Sequence, residues 1–87
     1  MSWAKTMVLP VPVGRAIALR PGDWVAYKRL GYFYYQRNNF AAAAAEFQKV
    51  IDLTPDNAQG YGNLGVMQGL LGLPQDAARS FRKAIEL

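Results

Sequence analysis

The sequence predicts an all-α fold in which antiparallel helix pairs stack side by side. Two observations lead to this prediction. Residues of the same kind return after 34 positions, as Tyr27 does at Tyr61, and within each copy the apolar residues recur at the spacing of one helix face. A repeat period of about 20 to 50 residues is typical of stacked supersecondary units. The helices are predicted at about 24–37, 40–53, 58–71 and 74–86.

Matched residue types carry the repeat through two copies. The first copy contains Tyr27, Leu30, Gly31, Tyr34, Ala43, Phe47 and Pro55. The second contains Tyr61, Leu64, Gly65, Ala77 and Phe81, with Gln68 in the place of Tyr34. This period and these residue types resemble the tetratricopeptide repeat (TPR), a helix–turn–helix unit with the pattern W-x2-L-G-x2-Y, A-x3-F, P. The resemblance implies hairpins stacked in a right-handed solenoid, in a chain cut from a longer TPR array.

The first helix is predicted from Trp24 to about Arg37. Its motif residues between positions 27 and 34 fall at i, i+3, i+4 and i+7, which places them on one helix face. Asp23 is the expected N-cap, because its carboxylate can accept a hydrogen bond from a free backbone N–H. The pair Asn38–Asn39 is expected to end the helix, since asparagine tolerates the left-handed conformation of a C-terminal cap.

The second helix, about 40–53, carries an apolar stripe and stops before Pro55. The stripe consists of Phe40, Ala43, Ala44, Phe47, Val50 and Ile51. The family resemblance further implies that the two helices of a hairpin approach closely where small residues face each other. We therefore expect Gly31 to lie against Ala43, and Gly65 to lie against Ala77.

The third helix, about 58–71, is expected to be the least stable one because it is rich in glycine. It contains Gly60, Gly62, Gly65 and Gly69, and each interior glycine costs up to about 1 kcal/mol relative to alanine. Only Gly65 has a packing role in the motif. Gly72 suits the position after the helix end, and Pro74 suits the first turn of the fourth helix.

The N-terminal residues divide into two parts. Residues 1–14 fit neither the repeat nor a helix, because Pro10 and Pro12 each remove a backbone donor, and we expect a disordered leader there. Residues 15–23 match the end of a repeat, since 15–21 share their pattern with 49–55. The domain prediction is therefore a truncated upstream unit at 15–23, a complete unit at 24–57 and a second unit lacking its end at 58–87.

Composition and charge exclude several classes of function. The chain has no cysteine and no histidine, so it lacks disulfides, thiolate chemistry and the commonest general base and metal ligand. The net charge is +4, of which Lys5, Arg15 and Arg20 supply three charges before Asp23. The repeat body is thus close to neutral, which argues against nucleic-acid binding. A cytoplasmic location is favoured over secretion, and no run is long enough to span a bilayer.

No arrangement of residues indicates catalysis or a cofactor. The four serine and threonine hydroxyls have no histidine to activate them. The carboxylates are isolated, with Glu46, Asp76 and Glu86 expected on solvent faces. A GxGxxG match at 60–65 lies inside a predicted helix, where the dinucleotide-binding context is missing. We therefore expect no enzyme activity, no metal and no cofactor.

The candidate site is the concave surface that the resemblance implies, where the first helix of each unit faces a protein or peptide partner. The predicted partner-binding residues are Val25, Lys28, Tyr32, Tyr35, Gln36, Gln59, Asn63, Val66 and Leu70. Tyr32 and Tyr35 could serve either groove contact or packing between units. Lys28 and Asn63 stand where some TPR domains hold a C-terminal carboxylate, but Tyr32 replaces a third member of that clamp.

Three functions remain open from the sequence. The leading one is a protein–protein interaction scaffold that binds a peptide or partner domain through the concave face. The second is self-association through uncapped repeat ends, because Phe81, Ala84, Ile85 and Leu87 would form an apolar edge on the last helix. The third is weak nucleic-acid binding through the basic N-terminal tail.

Overall fold

The computed structural model describes residues 22–87. The expectations for residues 1–14 and for 15–21 lie outside the described residues. The described part contains four helices and no strand: α1 (Trp24–Gln36), α2 (Phe40–Leu53), α3 (Ala58–Leu70) and α4 (Pro74–Glu86). Each helix packs against the next one along the chain. The predicted all-α hairpin fold is confirmed, and the helix bounds differ from the expected ones only at positions 37 and 71, which are C-caps.

Side-chain caps start three of the helices. Asp23 accepts a hydrogen bond from the backbone N–H of Val25 at 3.0 Å, as expected from the sequence. Asn39 and Asn57 do the same for α2 and α3, at 3.2 Å and 3.0 Å. Such caps satisfy donors that have no partner within the helix. The fourth helix has no side-chain cap and begins instead with Pro74 in its first turn.

Two equivalent Schellman turns end α1 and α3. Asn38 has φ of 60° and Gly72 has φ of 80°, so both lie in the left-handed region, 34 positions apart. In the turn after α1, the N–H of Asn39 donates to the carbonyl of Tyr34 at 2.9 Å. In the turn after α3, the N–H of Leu73 donates to the carbonyl of Gln68 at 2.9 Å. These bonds satisfy otherwise free carbonyls and turn the chain back for the antiparallel partner helix.

The core lies where α1 and α3 both pack against α2. Its buried members are Ala43, Phe47, Ile51, Leu64 and Met67, with Tyr34, Phe40, Ala44 and Tyr61 packed against them. Phe47 and Val50 are the largest fully buried side chains among the described residues. The apolar stripe predicted for α2 therefore provides most of the core.

The nearest neighbour of each motif glycine is an aromatic ring of the second helix, which the expected glycine–alanine pairing did not include. A Cβ atom added at Gly31 would lie 2.6 Å from Cε1 and Cζ of Phe47, and its three nearest neighbours are all atoms of that ring. At Gly65 the corresponding neighbour is Phe81, at 2.8 Å. The small residue on the first helix thus makes room for the aromatic ring of the second helix.

A second correction concerns Gly60, for which the sequence indicated no packing role. A Cβ atom at Gly60 would lie 2.9 Å from Cγ1 of Ile51 and 3.2 Å from Cγ1 of Val50. Gly60 is buried, and α3 approaches α2 closely at this point. The same added atom at Gly62 or Gly69 meets nothing within 4 Å, so those two glycines lack a packing role, as expected.

Glu46 is buried, although its position predicted a solvent face. The residue is 8% exposed, and its Oε1 atom has no hydrogen-bond partner among the described residues. Oε2 accepts a hydrogen bond from Nζ of Lys49 at 3.4 Å. The equivalent residue of the second unit is Ser80, which is also buried and donates to Oε1 of Gln68 at 2.6 Å. The buried hydroxyl of Ser80 therefore has a hydrogen-bond partner, whereas only one of the two carboxylate oxygens of Glu46 has one.

Candidate functional site

The candidate site is a groove between α1 and α3, which lie on the same side of α2. Two hydrogen bonds cross from one helix to the other. Nζ of Lys28 donates to Oε1 of Gln59 at 3.2 Å. Nδ2 of Asn63 donates to Oη of Tyr32 at 3.4 Å. Four residues of the predicted partner-binding set therefore meet in two pairs, and each pair ties the first helix of one unit to the first helix of the next.

An apolar depression of about 170 Å³ lies in this groove. It is lined by Tyr32, Tyr35, Phe47, Asn63, Val66 and Met67. Phe47 and Met67 are buried and form its base, whereas Tyr32 is 44% exposed and Val66 is 43% exposed. We call this feature the apolar depression. It combines a fixed base from the core with side chains that a partner can reach.

The two tyrosines of the depression both pack and remain accessible. The Tyr32 ring meets the Phe47 ring edge to face, with centroids 5.7 Å apart. The Tyr35 ring lies tilted against Phe40 at 6.0 Å. Both residues are nevertheless exposed. The sequence left two alternatives open for these tyrosines, contact with a partner in the groove or packing between units. Each side chain packs against a phenylalanine ring and also remains exposed.

The remaining predicted residues lie outside the apolar depression. Val25 is half-buried on α1, Gln36 is exposed at its end, and Leu70 is exposed at the end of α3. None of these three lines the depression. They belong to the expected stripe by spacing alone.

Phe47 and Met67 are the lining residues that the sequence did not assign to the site. The motif marked Phe47 as a core residue, and its ring reaches the groove because Gly31 leaves space for it beneath α1. The sequence could have indicated Met67 as a lining residue, because Met67 lies one period after Phe33 and one position after Val66. Methionine is suited to irregular contacts because its side chain is flexible and polarizable.

The charge along the groove is positive. Neither α1 nor α3 contains an aspartate or a glutamate, and Lys28 and Arg29 are the only charged residues within these two helices. Nζ of Lys28 also lies 5.3 Å from the centroid of the Trp24 ring, a cation–π distance. The acidic residues of the described part are Asp23, which caps the start of α1, Asp56, which precedes α3, and four residues of α2 and α4. The groove therefore favours an anionic group over a cationic one near Lys28.

Neither a cluster of metal-ligating side chains nor a membrane-spanning helix is found within residues 22–87. This part of the chain has no group of three or more acidic, histidine or cysteine side chains that could hold a metal ion. None of its four helices is both long enough and apolar enough to cross a bilayer.

Comparison with known proteins agrees with this architecture. A family profile described as TPR repeat matches residues 31–72. The Hsp70-Hsp90 organizing protein of Triticum aestivum is 33% identical over 72 residues, which cover 83% of this chain and 12% of that protein. A crystal structure of MamA superposes with a TM-score of 0.81 at 31% identity, over 85% of this chain and 43% of that one. The chain thus spans only a small part of the curated relative and less than half of the solved one.

A further MamA structure has the same fold at 20% identity, again with a TM-score of 0.81. TPR repeats serve generally in protein–protein interaction. The 34-residue period, the four helices and the family profile agree on one assignment: the chain belongs to the tetratricopeptide repeat family.

Proposed function

We propose that this chain is a protein-interaction module that binds an extended peptide segment of a partner protein in the groove between α1 and α3. The observation that carries the proposal is the apolar depression, where exposed aromatic and aliphatic side chains surround a base of buried core residues. Tyrosine is favoured at binding sites because it offers a large contact area and loses little conformational entropy. The proposed role requires no catalysis, in keeping with a chain that has no histidine and no cysteine.

The groove selects the chemistry of the peptide in two places. An apolar side chain of the peptide fills the depression beside Val66 and Met67. A carboxylate of the peptide lies near Lys28, where no acidic residue of α1 or α3 competes for the ammonium group. Tyr32 follows Lys28 by four residues, or roughly 6 Å along the helix axis. An extended peptide advances about 3.3 Å per residue, so its acidic and apolar residues are expected two or three positions apart.

A selection of phage-displayed random peptides on the full chain tests this proposal. The enriched sequences are expected to share an aromatic or aliphatic residue with an acidic residue two or three positions away. A synthetic peptide of the enriched sequence is then titrated by fluorescence anisotropy against Val66→Asp, which places a charge at the depression. Binding is expected to weaken by about tenfold or more, or roughly 1.4 kcal/mol. Leu73→Asp is the matched control, because Leu73 is equally exposed and lies outside the groove.

The contribution of charge is tested separately with Lys28→Gln. The affinity for the acidic peptide is expected to fall and to lose part of its salt dependence, since the ion pair with the peptide is screened by salt. A version of the peptide with glutamine in the place of its acidic residue should bind both proteins alike. Enriched peptides that bind Val66→Asp as tightly as the unmodified chain would refute the groove as the binding site.

A further inference from the structure

Residues 8–13, with the sequence VLPVPV, are apolar throughout and match no part of the repeat. They lie outside the described residues. Pro10 and Pro12 each fix φ at about −65° and restrict the residue before them to extended conformations. The sequence therefore favours the polyproline II conformation, which loses little further entropy on binding. Proline-rich segments of this kind bind in grooves that are lined by aromatic side chains.

The apolar depression is a groove with this aromatic lining. Tyr32 and Tyr35 line it from α1 and are 44% and 43% exposed. Val66 lines it from α3 and is 43% exposed, while Phe47 at the base is fully buried. The depression therefore offers two accessible tyrosine rings and an aliphatic side chain over a fixed base.

We propose that residues 8–13 of the same chain dock in the apolar depression and block the groove until a partner displaces them. The proposal rests on the groove assigned above as the peptide site, and it names the segment that occupies this site when no partner is bound. A proline ring or a valine side chain of the segment packs against the two tyrosine rings.

The length of the chain allows this contact. Tyr32 lies eight residues after the start of α1 at Trp24, or roughly 12 Å along the helix axis. The eleven residues from 13 to 23 span about 36 Å when fully extended. If residues 15–19 are helical, like the last five residues of α2 that they match, the span is still about 27 Å. Both lengths exceed the distance that docking requires.

A weak interaction is sufficient, because the segment and the groove belong to one chain. A short linker gives the segment an effective concentration on the order of 1 mM at the groove. A segment with a Kd of about 1 mM would therefore occupy the groove in roughly half of the molecules. Docking of the segment removes apolar surface from water at both of its partners.

Charge gives a partner the means to displace the segment. Positions 6–14 contain no charged residue, so the docked segment leaves Lys28 without a carboxylate. The partner peptide proposed above carries an acidic residue next to its apolar one. It therefore gains an interaction with Lys28 that the segment lacks, and this difference favours the partner.

Amide NMR spectra of the full chain test the docking without any partner. The double variant Pro10→Ser/Pro12→Ser removes both proline rings at positions outside the repeat, where the four helices do not depend on them. Its amide signals at Asn63, Val66 and Met67 are expected to differ from those of the unmodified chain. A synthetic peptide of residues 6–14, added to the double variant, should move these signals back. Met7→Ser is the matched control, because it removes an apolar side chain just outside the segment and should leave the groove signals unchanged.

The affinity of the selected partner peptide gives a second measurement. The peptide should bind Pro10→Ser/Pro12→Ser about two- to tenfold more tightly than the unmodified chain, since a site that is open in a half to a tenth of the molecules loses affinity by that factor. Met7→Ser should bind the peptide like the unmodified chain.

Two results would overturn the proposal. Groove signals that do not respond to the double substitution would exclude the docking, and they would leave the peptide site intact because Val66→Asp tests that site separately. Groove signals that shift with protein concentration would place the segment of a second copy in the groove instead. If Val66→Asp abolished the response to the double substitution but left the partner peptide bound, the segment would dock as proposed and the partner would bind elsewhere.

Discussion

Replacement of glycine by alanine at three positions in α1 and α3 should give three different effects on stability. At Gly31, the added methyl group would lie 2.6 Å from the ring of Phe47, which is fully buried and cannot move aside. Overpacking of this kind costs about 1–3 kcal/mol, whereas the better helix propensity of alanine returns up to about 1 kcal/mol. The net result expected for Gly31→Ala is a loss of roughly 1–2 kcal/mol.

The two other substitutions serve as internal controls for this reasoning. At Gly65, the methyl group would lie 2.8 Å from Phe81, whose ring is half-exposed and can shift toward solvent. Steric cost and helix propensity should then nearly cancel. At Gly62 there is nothing within 4 Å, so Gly62→Ala should stabilise the protein by about 0.5–1 kcal/mol through propensity alone.

Thermal unfolding followed by circular dichroism at 222 nm, together with urea titrations, measures the series. In a domain of this size, 1 kcal/mol corresponds to about 4–8 °C in Tm. The expected order of Tm is Gly62→Ala above the unmodified chain, Gly65→Ala close to it and Gly31→Ala clearly below it. If Gly31→Ala proved as stable as Gly62→Ala, the packing of Phe47 beneath α1 would not be what requires glycine.

Three further predictions concern single features of the fold. Glu46→Met should stabilise the chain by about 1 kcal/mol in urea titrations. The substitution removes a buried carboxylate oxygen that lacks a hydrogen-bond partner among the described residues. A loss of stability would mean that the ion pair with Lys49 contributes more than the buried oxygen costs. Gly72→Ala should destabilise the chain by about 1 kcal/mol in the same assay, because φ is 80° there and an L side chain is strained in that region. The control is Gly69→Ala at the end of the same helix, which has free space around the added methyl group and should not lower the stability. Amide exchange should be faster in 58–70 than in 40–53, since α3 contains glycines without packing roles, and equal protection of the two helices would contradict this.

The predictions that succeeded from the sequence are those that depend on local spacing. The position of Pro55, the capping residues Asp23 and Asn38, and the left-handed Gly72 specify where helices begin and end, because each acts through the backbone within a few residues. The fold class followed from the same spacing repeated over two units. For the candidate site, the repeat selected α1 and α3 as the lining helices, and it placed Tyr32, Tyr35, Asn63 and Val66 on one surface. That these residues bind a partner stays a prediction.

The sequence by itself determined the number, the bounds and the apolar faces of the described helices. Only the tertiary structure decided which side chain occupies each narrow space between them. Phe47 rather than Ala43 fills the space at Gly31, Ile51 contacts Gly60, and Glu46 is buried. The physical reason is that spacing along a helix specifies the direction of a side chain, whereas its burial depends on the distance and angle at which a neighbouring helix crosses it.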